Sequence, residues 1–124
     1  MTVRGSIVAL LVLLATAVLP AQSTDISGKW TASFETGIGT QTYTYEFVVK
    51  GKEFTGTAKS NLGEATITEG KIDGDKVTFV ELLKFQDMEL RITYSGTIVS
   101  AAEIKFTRQV GDIATEELVA KRAK

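Results

Sequence analysis

From Trp30 to Ala120, apolar side chains return at every second position, in short runs broken by turn-forming residues. A period of two is the mark of a strand with one buried face, and it leaves little room for a helical fold. Trp30, Ala32 and Phe34 share a face in the first run. Tyr43, Tyr45, Phe47 and Val49 do so in the second, with Thr42, Thr44, Glu46 and Val48 opposite. Phe54, Gly56 and Ala58 mark the third run. Ala65 and Ile67 mark the fourth, which reaches Ile72 past an expected bulge at Glu69-Gly70. Val77 and Phe79 open a fifth run that continues to Phe85. Met88, Leu90, Ile92 and Tyr94 line the sixth, Ile104 and Phe106 the seventh, Leu118 and Ala120 the eighth. The tail from Glu116 has helical propensity as well, but a strand there gives the first strand a partner.

Gly51-Lys52, Asn61-Leu62-Gly63, Asp73-Gly74-Asp75 and Gln86-Asp87 are hairpin-length connections, and Thr36–Thr40 and Val110–Ala114 read as longer loops. Links this short make successive strands pair antiparallel. A meander of eight strands leaves two open edges, and closing the sheet removes both. The expected fold is therefore all-β: an eight-stranded antiparallel up-and-down barrel. At this strand number the interior is just wide enough to be filled by side chains or to hold one small ligand.

The barrel pattern starts late. Arg4 precedes a 13-residue apolar run, Ile7–Leu19, interrupted only by Thr16 and ended by Pro20. Ala21 and Ser23 then offer small residues for cleavage. This reads as a secretory signal peptide over residues 1–23, with cleavage after Ala21 the alternative. The run is too short for a bilayer, which takes about 20 residues. The single domain is expected over 24–124, in an exported protein, periplasmic or extracellular. No cysteine follows the run, which excludes a lipid anchor on cysteine and leaves the barrel without a disulfide. Removing the leader takes one of the 14 basic residues, Arg4, and none of the 15 acidic ones, so the mature chain carries a net charge of −2. With no basic stripe and no polybasic patch, neither nucleic acid nor, once the leader is gone, a membrane is an expected partner.

The chain has no histidine and no cysteine. That removes the commonest general base, the commonest metal ligand and the thiolate nucleophile. Thr36-Gly37-Ile38-Gly39-Thr40 lacks the Lys-Ser/Thr pair and the following helix of a phosphate loop. Asp73 and Asp75 flank a turn without the further ligands of a calcium site, and Glu116-Glu117 reads as surface charge. No enzyme, metal or cofactor is expected. Two charges break the pattern. Glu81 falls on the face of Val77 and Phe79, and Arg108 on that of Ile104 and Phe106. Either they are polar anchors in a ligand cavity, or they sit at the rim or past a bulge and face solvent; the second is the commoner arrangement, because a buried charge must be paired. Val80 and Leu82 make the fifth strand apolar on both faces, which suits a covered face or a dimer patch; a monomer or weak dimer is expected.

Gly28-Lys29-Trp30 at the start of the first strand resembles the Gly-x-Trp signature of the lipocalin (calycin-like) superfamily, and the chain is similar to short exported bacterial barrels of that type. In that family a basic residue of the last strand packs across the tryptophan and closes one end of the barrel. The resemblance implies that role for Arg122, on the face of Leu118 and Ala120, with Gly28 where the chain turns beneath the barrel. The chain departs from true lipocalins in being shorter and in lacking the capping first loop, the C-terminal helix and the disulfide, which implies a smaller cavity. The bacterial metalloprotease inhibitors are also similar in size and in the Gly-x-Trp start. They insert an N-terminal tail into the protease cleft, but here few residues precede Gly28 and their disulfide is missing.

Two functional expectations follow. The first is a non-enzymatic binding barrel that holds a small apolar or amphipathic molecule in a cavity of a few hundred Å3 lined by Phe47, Phe79 and Leu90. Tyr43, Tyr45, Glu81 and Arg108 are its candidate polar contacts. The second is a protein-interaction or protease-inhibitor module with a filled barrel, acting through its loops or through Thr24–Ser27.

Overall fold

The computed structural model describes residues 25–123, so the expected leader and its cleavage site lie outside the described residues. Eight strands follow one another: β1 Gly28–Thr36, β2 Gly39–Lys50, β3 Glu53–Ser60, β4 Gly63–Asp73, β5 Lys76–Phe85, β6 Met88–Ser100, β7 Glu103–Val110 and β8 Ala114–Arg122. Each pairs antiparallel with the next, and β8 returns to β1 through Trp30↔Arg122 and Thr31↔Lys121, closing the barrel. The tail is thus a strand. The first connection is shorter than expected: Gly37-Ile38 alone joins β1 to β2, because pairing runs out to Thr36↔Gly39. In the Gln86-Asp87 turn both residues have positive φ, 53° and 66°. That is the twist a two-residue hairpin demands, met here without glycine.

The alternation read from the sequence is the alternation of burial. Trp30, Tyr43, Tyr45, Phe47, Phe79, Ile92, Tyr94 and Ile104 are all essentially sealed from solvent. Register is interrupted where the sequence suggests and in two other places. The β4–β5 ladder slips between Thr68 and Lys71, with Glu69 at φ 55°. Further slips fall between Phe54 and Gly56 and between Ile98 and Ser100. The β4 bulge has a use. Glu69 on β4 and Arg91 on β6 flank β5, and Arg91 Nη2 donates to both carboxylate oxygens of Glu69 at 2.7 Å. This bridge lies across the outer face of β5, where Val80 is buried and Leu82 half-buried. The doubly apolar strand is therefore covered in part by its own neighbours.

One end of the barrel is shut. Residues Asp25–Ser27 run beneath it, and Ile26 is fully buried. The Trp30 indole donates from Nε1 to the Ile26 carbonyl at 2.9 Å. The Arg122 guanidinium lies 4.5 Å from the centre of the Trp30 ring. It donates to the carbonyls of Ser27 (2.8 Å), Asp25 (2.7 Å) and Ala101 (2.9 Å). Gly28 sits here at φ 111°, a conformation that side chains disfavour. Asp25–Ser27, offered above as part of an interacting tail, are thus bonded to the barrel as a cap. The tail has been recruited to satisfy a guanidinium that would otherwise crown an open barrel.

Gly96 on β6 shows how tightly the wall is built. A Cβ there would lie 2.7 Å from the Lys105 carbonyl oxygen and closer still to the Phe106 ring. Gly96→Ala is expected to cost about 1–3 kcal/mol through overpacking. A lowered urea midpoint with unchanged m-value would show it, and an unchanged midpoint would mean that Phe106 is free to move.

Candidate ligand-binding site

Above the cap the interior is filled by rings. Phe79 stacks on Tyr94 with centroids 4.2 Å apart, and Phe47 meets Phe54 edge-on at 5.0 Å. Tyr45 and Phe106 close the cluster from β2 and β7. Edge-to-face and offset pairs of this kind are favourable beyond the area they bury. Phe47 and Phe79, expected to line a cavity, are instead locked in this filled half.

The next layer is polar. Five strands send six groups to it: Tyr43 and Tyr45 from β2, Glu81 from β5, Tyr94 from β6, Arg108 from β7 and Glu116 from β8. Glu81 is fully buried and Arg108 is 4% exposed, which corrects the expectation that they face solvent at the rim. The register at both positions is uninterrupted, so parity carries them inside. Tyr43 donates to Glu81 Oε2 at 2.8 Å and Tyr94 to Glu81 Oε1 at 2.7 Å. Arg108 donates from Nε to the Tyr94 oxygen (2.9 Å) and from Nη2 to the Tyr43 oxygen (2.8 Å). A phenol has one proton and two acceptor sites. The proton of Tyr94 goes to Glu81, so in its 2.9 Å bond with Tyr45 it is Tyr45 that donates. Arg108 Nη1 pairs with Glu116, and Nη2 stands 3.8 Å from Glu81.

Arg108 therefore links two carboxylates, directly on one side and through two phenols on the other. Its carbon also lies 5.2 Å from the Tyr43 ring centre and 5.3 Å from that of Phe34. Burial, reinforced for Tyr43 by the charge of Glu81, raises the phenols of Tyr43, Tyr45 and Tyr94, so all three remain proton donors. Burial also raises Glu81, against the hydrogen bond from Tyr94 and the charge of Arg108. Burial alone would lower Arg108, but facing Tyr94, Tyr43 and Glu81 outweigh it and hold the guanidinium charged. Glu81 is thus sealed from solvent, with both carboxylate oxygens bonded by tyrosines.

Above this layer the barrel is hollow. A cavity of about 200 Å3 opens at the end that carries the Gly37-Ile38, Asn61-Leu62, Gln86-Asp87 and 111–113 turns. Leu62, Leu83, Leu90, Ile92 and Val110 make its apolar wall, and Gln41, Tyr43, Arg108 and Glu116 its polar floor. Ile38 and Ile113, 65% and 78% exposed, stand at its lip. Met88, which the alternation places inward, is 62% exposed beside the same turns. Of the expected ligand contacts, the structure brings Tyr43, Leu90 and Arg108 to the cavity; Tyr45, Phe47, Phe79 and Glu81 lie below it. Gly28, Trp30 and Arg122 gather at the far, closed end.

Two residues of the floor escaped the sequence reading. Glu116, expected on the surface, has a side chain only 10% exposed and paired to Arg108. It shares the parity of Leu118 and Ala120, and that was the signal. Gln41 is 5% exposed, and its Oε1 is buried without a hydrogen-bond partner. It shares the parity of Tyr43, but the longer loop expected before it hid that. Among the described residues no three acidic side chains gather as a metal site.

No protein-family model and no curated protein matches the sequence. In fold the chain is similar to a solved structure of EF1p2_mFAP2b bound to DFHBI, with a TM-score of 0.54 and 11% sequence identity over 79% of this chain and 94% of that chain. At that identity the likeness concerns the fold alone, here a closed, antiparallel, up-and-down barrel of eight strands.

Proposed function

We propose that this protein is an exported, non-enzymatic carrier that holds one small, mainly apolar molecule in the cavity at the open end of its barrel. One observation carries the reading: the barrel is packed with rings for half its depth and then left hollow, with apolar walls over a buried, hydrogen-bonded polar floor. Concave apolar sites with a few fixed polar groups are the usual form of small-molecule sites. The similar barrel bound to DFHBI supports the same use of the fold. At about 200 Å3 the cavity falls below the roughly 300–1,000 Å3 of drug-sized sites, so its occupant is small. The absence of histidine and cysteine from the sequence, and the sealing of Glu81, support a binding role over a catalytic one.

Native mass spectrometry of the protein purified gently from an exporting host tests this. A reproducible added mass, smaller than a drug-sized molecule and lost on organic extraction, is the expected result. A bare mass that stays bare when the protein is incubated with small aromatic compounds overturns it. A second reading draws on the exposed Ile38, Met88 and Ile113 around the mouth: a protein partner that caps the open end. Co-purification of one stoichiometric partner with an empty cavity would favour it.

A further inference from the structure

We infer that the occupant of the mouth cavity carries a hydrogen-bond donor on an otherwise apolar body, and that Gln41 is the residue that reads that donor. The inference rests on the carrier reading above and adds the chemistry of the ligand to it. Most polar groups of the floor already have partners, and among its buried polar atoms one does not. All three nitrogens of Arg108 already donate, to Tyr94, Tyr43 and Glu116. The Tyr43 proton is committed to Glu81. Glu116 Oε1 accepts from Arg108. Gln41 Oε1 alone is buried with no partner. Buried polar atoms without partners are rare enough in native proteins that each asks for an explanation. A carbonyl oxygen accepts, so what it lacks is an N–H or O–H.

A water in the cavity would leave the same preference. If a water serves Gln41 before the ligand arrives, a ligand that fills the cavity without a donor displaces the water and leaves the oxygen unpaired; one with a donor replaces the bond. The same floor selects against carboxylates. Arg108 is the natural anchor for an anion, but a carboxylate would have to displace Glu116 from it and then sit beside that charge. Size narrows the class further. A cavity of about 150 Å3 takes benzene, so about 200 Å3 suits a fused two-ring body. The expected ligand is thus a neutral, compact, ring-sized molecule with one N–H or O–H.

Indole and benzofuran test this, since they match in shape and differ in N–H against ring oxygen. Titration calorimetry on the exported protein is expected to show indole binding about tenfold more tightly than benzofuran. Gln41→Leu is expected to bind both, with the ratio falling to about one. Side-chain amide NMR of the unaltered protein gives a readout that needs no variant: the Gln41 amide should shift with indole and not with benzofuran. Equal affinities in the unaltered protein would overturn the inference and leave the carrier reading standing. A ratio that persists in Gln41→Leu, or an unmoved Gln41 amide, would overturn the role of Gln41. Binding of neither compound would count against the carrier reading as well.

Discussion

Trp30→Ala destabilises the barrel by about 3–5 kcal/mol, the loss expected for truncating a large, fully buried aromatic side chain. The ring does three things at once, and all three go with it. It fills the closed end. It donates to the Ile26 carbonyl, holding the cap segment Asp25–Ser27 in place. It is the platform on which Arg122 lies. Arg122 then keeps the Ser27 and Asp25 carbonyls only if the cap stays put without the ring. Because β8 meets β1 through two register pairs, Trp30↔Arg122 and Thr31↔Lys121, the damage falls on the shortest ladder of the barrel. Trp30 is the only tryptophan, so unfolding should be followed by far-UV circular dichroism in urea. A change near zero would mean that the barrel closes without its tryptophan. Trp30→Phe, which keeps most of the ring volume, is expected to cost less than the alanine change.

The fold was legible because its information is local. Strand parity, turn residues and the Glu69-Gly70 bulge are read from neighbours in the chain, and parity placed Trp30, Tyr45, Phe79 and Phe106 inside. The candidate site was less legible because its information is not local. Glu81 and Arg108 stood out as charges on an apolar face, but their hydrogen-bond partners are drawn from three other strands, with Tyr43 65 residues from Arg108 and 38 from Glu81. Without those partners in view, solvent was the reasonable destination for both. Glu116 was hidden by Glu117: two acids in a row look like a solvated surface, although in a strand they face opposite ways. The resemblance carried by Gly28-Lys29-Trp30 pointed to the correct packing of Arg122 across Trp30, at the end of the barrel away from the cavity. Which half of the barrel is hollow was beyond the sequence. Ring by ring, Phe47, Phe54, Phe79 and Phe106 fill the lower half only because their strands bring them to one level.

The polar layer between those halves makes the second large prediction. Arg108→Met keeps an apolar stem of similar length but leaves Glu81 buried with two phenols and no cation. Removing one partner of a buried pair costs about 3–5 kcal/mol when the other stays charged. Glu81 need not stay charged, and this gives the prediction a pH signature. Burial already raises Glu81 above its usual 4.5, and the charge of Arg108 is among the forces that pull it back. Without Arg108 it rises further. Above pH 4.5 the folded variant then holds a proton that the unfolded chain has released. Its stability therefore falls by about 1.4 kcal/mol per pH unit until Glu81 ionises in the folded state as well. The variant should lie nearest the unaltered protein at about pH 4.5 and fall further behind it as the pH rises above that. Adding Glu81→Gln removes the titrating group, so the double variant should recover much of the loss at pH 8 and little at pH 4.5. Urea melts of the three proteins across that range decide the matter. A loss independent of pH, unrelieved by Glu81→Gln, would show that Arg108 stabilises the barrel through its contacts with Glu116 and the Tyr43 and Phe34 rings, and that Glu81 is held by its tyrosines alone.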